Sequence, residues 1–402
     1  MNSLPYKWLV SATVFVCLLF LAATLDAKKP IKPPPASPDE PCSAETFSPD
    51  FAFLRNTGKR RSPKVTILLA DSTTGCEKSL VDFSIIPPIT AIRNLRFSSV
   101  EGDSSYFGRT VWTSNIGSRS ISVWKQDFNI EGAEIVLDGG SLEVLRNTLL
   151  DDLLESENIY SLDMSPDTKT LVYQYYHRYP DPDDSDTNLA LRSLRVLKIE
   201  ACTDPDTNPC GFNDLLNADE LEQVVGSTSE SVGFTFPSWG PYGERIYVRR
   251  NFDAPSLDQQ KAIQYFDLAK EGQELKWPPV ITYESVPLIS DIGYFRKIAS
   301  GLMDGTEYLA IEKEFSEKTG GCEGIYIVNA DDCLTRGDCW TEPKFAGAYP
   351  SWSKDGKLIH AYDGWVPHGN CALSSVGAWN GSDGSLESLF DGYWPDAASG
   401  IR

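Results

Sequence analysis

Two stretches of the chain are nearly superimposable: Phe236-Pro-Ser-Trp-Gly-Pro-Tyr-Gly-Glu-Arg-Ile-Tyr-Val-Arg-Arg250 and Tyr349-Pro-Ser-Trp-Ser-Lys-Asp-Gly-Lys-Leu-Ile-His-Ala-Tyr-Asp363. In each, aromatic-Pro-Ser-Trp leads into a turn ending in glycine and then into apolar residues at alternate positions, the pattern of strand, tight turn, strand. A third, more worn copy runs from Leu162 through Ser165-Pro166-Asp167 to Tyr176, and Tyr393-Trp-Pro-Asp-Ala-Ala-Ser-Gly400 carries the front half of another at the end of the chain.

The run after each turn can be followed outward from these copies: DFAFLRN (50–56), RTVWTSN (109–115), TLVYQYY (170–176), RIYVRRN (245–251), EYLAIEKE (307–314) and KLIHAYD (357–363). Each is followed by a second alternating strand: KVTILLADSTTG (64–75), SRSISVWKQD (118–127), LRSLRVLKIEAC (191–202), KAIQYFDLAKEG (261–272), EGIYIVNADDC (323–333) and ALSSVGAWNGSDG (372–384). A strand-turn-strand unit that recurs without long periodic helices between its copies predicts a radial array of antiparallel sheets, an all-β propeller. The first unit lacks its aromatic-Pro strand, and the last ten residues supply one with nothing after it. Pairing the tail with the first sheet removes two open edges, which predicts six blades closed by the C-terminal strand, with seven as the alternative. Two stretches depart from this pattern. Leu142, Leu145, Leu149, Leu150, Leu153 and Leu154, and again Leu215, Leu216, Leu221 and Val224, fall at helical spacing and predict rim helices.

The copy at 349–356, with Phe236–Gly243 and Ser165-Pro166-Asp167, resembles the propeller repeat of TolB-like proteins, over about residues 45 to 402. The namesake of that family is a periplasmic component of an envelope-spanning complex, whose six-bladed propeller binds a peptidoglycan-associated lipoprotein. It carries an α/β domain ahead of the propeller, where this sequence has only an export signal and a Pro-rich spacer. The resemblance therefore implies the fold and a propensity for protein contacts. The same repeat forms the gating propeller of prolyl-oligopeptidase-like enzymes, whose hydrolase domain has no counterpart here. In physical terms Pro suits an innermost strand, Trp239 and Trp352 fill the space between blades, and Asp355 with Gly356 makes the turn.

The apolar run Leu9–Leu25, with Lys7 before it and Ala22, Ala23, Thr24 and Ala27 behind, reads as a secretory signal cleaved after Ala27 or Thr24. An uncleaved membrane anchor is the rival reading, since the run is at the short end of the ~17 to 25 residues needed to span a bilayer. Residues 1–27 are thus assigned to a signal peptide, 28–41 to an extended Pro-rich spacer, and 42–402 to the propeller. Of nine cysteines, Cys17 leaves with the signal, and an even remainder in an exported chain implies disulfides. Cys202 with Cys210 and Cys333 with Cys339 would each pin one loop; Cys42 with Cys76 and Cys322 with Cys371 complete the set. No C-x-x-C pair argues for zinc.

Lys and Arg number 36 against 57 Asp and Glu, a formal charge of -21, which repels phosphate backbones and argues against nucleic-acid binding. No G-x-S-x-G elbow, P-loop or G-x-G-x-x-G opening a helix is present, so no nucleophile, catalytic residue or nucleotide cofactor is assigned. His360, Asp363 and His368 can be drawn as a metal site, but their spacing on a strand and a loop suits unrelated positions better. The acidic loops Asp181–Asn188 and Asp204–Asn208 lack the Gly and Glu of an EF-hand loop and read as solvated tips; no metal is assigned. Asn380-Gly-Ser382 is an N-glycosylation tripeptide, relevant only in a eukaryotic secretory route. The resulting expectation is an exported, monomeric, non-enzymatic propeller scaffold without a cofactor, periplasmic or secreted, that contacts a protein or cell-envelope polymer and a membrane only through an uncleaved N-terminal segment. The alternative is a hydrolase or lyase acting on carbohydrate or peptide in the axial funnel.

Overall fold

The computed structural model divides the chain into two compact units, Met1–Pro41 and Cys42–Arg402. It describes residues 47–56, 65–82, 89–101, 106–116, 120–137, 143–149, 161–180, 188–199, 212–214, 233–251, 261–272, 274–277, 279–283, 288–289, 295–314, 323–336, 344–362, 375–391 and 393–397. The signal and the spacer lie outside the described residues.

Antiparallel meanders follow one another along the chain. The first is β1 (Phe51–Asn56), β2 (Val65–Asp71) and β3 (Cys76–Asp82). In the second, β4 (Ile89–Glu101), β5 (Tyr106–Ile116) and β6 (Ser120–Glu131) leave an outer edge shared by β7 (Glu134–Leu137) and β8 (Glu143–Leu149). Next come β9 (Leu162–Met164), β10 (Thr170–Pro180), β11 (Asn188–Lys198) and β12 (Phe212–Asp214). The fourth holds β13 (Gly233–Trp239), β14 (Arg245–Asn251) and β15 (Lys261–Leu268); the ribbon β16 (Lys270–Glu271) with β17 (Glu274–Leu275) precedes its outer strand β18 (Ile281–Tyr283). A single parallel bridge, Arg192 to Gly233, joins the third meander to the fourth. The fifth is β19 (Phe295–Met303), β20 (Thr306–Glu314), β21 (Glu323–Asn329) and β22 (Phe345–Ala346), and the sixth β23 (Ala348–Trp352), β24 (Lys357–Tyr362), β25 (Ser375–Asn380) and β26 (Leu386–Asp391). The last strand, β27 (Tyr393–Ala397), returns to pair antiparallel with β1, Phe51 opposite Ala397 and Leu54 opposite Tyr393. Each pair of alternating runs seen in the sequence forms an antiparallel ladder.

These strands are hydrophobic on both faces because each meander is sandwiched. Alternate residues point to opposite sides of a strand, so Ala52 and Leu54 of β1 join Phe97, Trp112 and Phe128 of the second meander. Phe51 and Phe53 join Ile359, Val376 and Ala378 of the sixth. The same arrangement repeats: Val111 and Val123 meet Leu171 and Tyr173, Val172 and Val196 meet Trp239 and Ile246, Tyr247 and Ile263 meet Ile298 and Leu309, and Ala310 and Ile325 meet Trp352 and Leu358. The first strands β4, β9, β13, β19, β23 and β27 are packed each against the next, and β27 against β4.

Three expectations are revised. Leu145 and Leu149 lie in strand β8, not in a helix, with Ser120 opposite Leu149, while Leu142, Leu150, Leu153 and Leu154 lie outside the described residues. The long β6 offers an edge whose unpaired backbone groups override the local helical spacing. The other predicted rim helix, at Leu215–Val224, lies outside the described residues. Cys76 is a free thiol, 8% exposed at the start of β3 in the core with Leu69 and Phe97, so the Cys42–Cys76 bridge is not formed: the side chain is turned inward as a small apolar group. Cys333 is disulfide-bonded, while its partner, and Cys42, Cys202, Cys210, Cys322, Cys339 and Cys371, lie outside the described residues. Finally, the polar end of the fifth second-strand copy at 330–333 is the start of the helix α1 (Ala330–Arg336), the one α-helix among the described residues. Asn329 caps it, its Oδ1 accepting the Asp332 N–H at 3.1 Å.

Candidate functional site

The turns of the repeat explain its most regular residues. In the copy at 349–363, Ser353 Oγ donates to the Asp355 carboxylate and accepts the Lys357 N–H at 3.1 Å. In the worn copy, Ser165 Oγ donates to Asp167 at 2.5 Å and accepts the Thr170 N–H at 2.9 Å. Gly356 and Gly243 have φ of 81° and 68°, as the turn requires. Ser-x-Asp-Gly therefore fastens the hairpin.

A belt of polar ties joins neighbouring first strands at one level of the repeat. Aligning Phe97, Met164, Trp239 and Trp352 puts Arg96, Asp163, Ser238 and Ser351 at one position. Arg96 Nε lies 2.8 Å from Asp163 Oδ1, and Asp163 Oδ2 accepts the Trp239 N–H at 2.7 Å. Ser238 Oγ accepts the Ser300 N–H at 3.2 Å, Ser300 Oγ donates to the Trp239 carbonyl, and Trp352 Nε1 donates to the Ala299 carbonyl at 3.2 Å. These charges and hydroxyls, buried or half-buried, bond across from one meander to the next. Sequence reading missed them, although a charged residue in the slot occupied by serine in the better copies was the available signal.

Three residues before that aromatic, the backbone does something the sequence does not announce. Asn94, Phe236 and Tyr349 have φ of 52°, 51° and 52°, each at a register shift where two residues of the first strand face one of the second. Trp394 has the same place in the shift of β27 against β1. For a side chain preceding proline, as at Phe236 and Tyr349, a left-handed backbone is disfavoured twice over. Each bulge is held by a different group. Asn94 Nδ2 donates to Thr113 Oγ1 at 3.1 Å, and the Arg249 guanidinium lies 4.4 Å from the Phe236 ring centre. The Tyr349 N–H donates to Glu312 Oε2 at 2.7 Å.

His360, which the sequence reading set aside as a metal ligand, is 3% exposed, with its ring centre 4.6 Å from that of Phe345; it is a core residue, while Asp363, His368 and residues 181–187 and 204–208 of the acidic loops lie outside the described residues. Among the described residues no group of three His, Cys, Asp or Glu is placed to hold a metal ion.

Two buried groups carry opposite pH dependences. Burial pushes the His360 imidazole down to about 4, so the native state resists protonation and stability is lost as pH falls from about 6.5 towards that value. Asp50 accepts the Ser72 N–H at 2.9 Å and the Ser72 hydroxyl, yet burial, with Asp355 and Asp71 nearby, raises it to about 6. Here the native state binds the proton more tightly than the unfolded chain, so stability falls as pH rises from about 4 through 6. Asp50→Asn is expected to abolish this decline and to gain roughly 2 kcal/mol at pH 7 relative to pH 4; denaturant melts of both proteins across pH 4–8 check it, and parallel profiles would refute it.

The observed architecture is that of an all-β, propeller-like protein. No family model matches the chain, and no curated protein matches it. Among solved structures it is similar to a puromycin-hydrolyzing peptidase of Mycobacterium tuberculosis (10% identity, 86% of this chain and 46% of that one, TM-score 0.42). It is also similar to the tricorn protease (10%, 88% and 36%, 0.41) and to an α-L-arabinofuranosidase from Lactobacillus brevis (12%, 74% and 95%, 0.38). The chain spans less than half the length of the two peptidases.

Proposed function

We propose that the chain is a six-bladed β-propeller of TolB-like build, closed by its C-terminal strand and exported to the periplasm or beyond, that holds an envelope or extracellular macromolecule at its axial face. Support for the ring comes from the sixth core, which packs the last meander on the first, and from β27 on β1. Support for a binding role is one observation: the charges of the first strands, buried Arg96 and half-buried Asp163, are taken up in ties between neighbouring strands, an arrangement that holds those strands rigid. Hydrolysis or elimination on a carbohydrate or peptide in the funnel is the second reading.

One experiment separates them. The purified full chain is immobilised and challenged with peptide and soluble envelope-polymer libraries, while chromogenic aminoacyl and arabinofuranosyl substrates report turnover. Retention of a defined ligand without product formation is expected. Product formation would establish the second reading, and neither retention nor turnover would refute both.

A further inference from the structure

We infer that Asn380 is the acceptor of an N-linked glycan when the chain passes through a secretory lumen that holds an oligosaccharyl transferase, an inference that rests on the export part of the reading above. Asn380-Gly-Ser382 is the single Asn-x-Ser/Thr tripeptide of the sequence, and such an acceptor must lie at the surface, where a bulky enzyme reaches it. The tripeptide opens the turn between β25 and β26, in which Ser382, Asp383, Gly384 and Ser385 are exposed and Asn380 and Gly381 half-buried. A Cβ at position 381 would overlap the Met303 side chain of the fifth meander, so packing fixes the middle residue as glycine, which the acceptor pattern allows.

The turn does not itself call for an amide, because the first meander builds the same one on Asp71. There the Gly75 N–H donates to the Asp71 carbonyl at 3.0 Å, as the Gly384 N–H donates to that of Asn380 at 2.8 Å, and the two glycines have φ of 69° and 71°. In both turns the side-chain Oδ1 accepts the N–H two residues on, from Thr73 at 2.9 Å and from Ser382 at 3.1 Å. A carboxylate thus fastens this turn as well as an amide does. What asparagine adds is Nδ2. While Oδ1 also accepts the Ser382 hydroxyl at 2.9 Å, Nδ2 has no hydrogen-bond partner among the described residues, and an amide has two N–H groups to offer. In the transfer, Nδ2 attacks C1 of an oligosaccharide carried on a polyprenyl diphosphate. The N–C1 bond forms as the C1–O bond breaks, the diphosphate leaves on its lipid, and the Nδ2 proton passes to a base of the transferase.

The test expresses the full chain in a eukaryotic secreting cell, beside a second chain in which residues 1–27 are exchanged for a leader of known activity. Peptide-N-glycosidase is expected to lower the mass of the product and to leave an aspartate at position 380 in the peptide map. Asn380→Asp, which keeps the turn in the form seen at Asp71, and Ser382→Ala are expected to lose the mass shift completely, and Ser382→Thr to keep it. Asn380→Asp has the same covalent structure as the enzymatically deglycosylated protein, so equal melting temperatures of the two exclude a folding defect as the cause of the loss. A secreted protein with Asn380 unmodified overturns the inference and leaves the export reading standing. Modification with the exchanged leader alone keeps the acceptor and overturns the export reading. Absence of the glycan from both chains, or a mass shift that survives Asn380→Asp, overturns the inference.

Discussion

Replacing Trp352 by alanine is expected to cost about 3–5 kcal/mol of folding stability. The indole, 4% exposed, lies in the core between the fifth and sixth meanders with Leu358 and Trp379, donates to the Ala299 carbonyl, and meets the Trp379 ring edge-on at 6.4 Å. A Cβ on Gly301 would overlap its side chain, so the fifth meander comes against the indole without intervening atoms and cannot readily collapse into the hole. Gly301→Val probes the same seam from the other side and should also destabilise, by overpacking. Urea unfolding of the three proteins decides the matter: a loss below about 1 kcal/mol for the Trp352 variant would mean that the seam relaxes and that the repeat's tryptophan is not what joins neighbouring sheets.

The second large effect is electrostatic. Asp163→Ala is expected to cost roughly 3–5 kcal/mol, because it removes the carboxylate from Arg96 Nε and strips the Trp239 N–H of its acceptor. Asp163→Asn, which keeps an acceptor for the amide, should lose less. Removing both charges together, Arg96→Met with Asp163→Leu, should recover much of the loss, since a buried pair replaced by apolar groups of similar size is often nearly neutral. A double variant as unstable as Asp163→Ala alone would show that the hydrogen bond to Trp239, rather than the lost ion pair, carries the cost.

Much of the fold was legible because a strand buried on both faces has little freedom of composition. Phe51–Leu54 and Ile246–Val248 are apolar on consecutive residues because each side chain enters one of two cores, and Gly243 and Gly356 supply the positive φ of their hairpin turns. The paired runs and the returning tail could therefore be read directly. Leu145 and Leu149 misled for the opposite reason: leucines at helical spacing also suit a strand added to the edge of β6, and periodicity alone cannot see that edge. The cysteine arithmetic failed at Cys76 because a count of thiols says nothing about which way a side chain faces.

The candidate site was less legible than the scaffold. Phe236 and Tyr349 stood out in the sequence as the first residues of a repeat, but their left-handed backbone and its match at Asn94, which shares no residue type with them, are properties of strand register. The Arg96–Asp163 pair likewise joins residues 67 positions apart, 163 minus 96. By itself the sequence determined the all-β class, the strand-turn-strand unit and the chemistry of its turns, since these depend on side-chain alternation and on φ preferences over four or five neighbours. Only the tertiary structure decided which charges meet, which thiol is buried free, and which residues take a left-handed backbone at the bulges. Those outcomes follow from packing sheet against sheet, and packing depends on distance in space, which the order of residues along a chain does not encode locally.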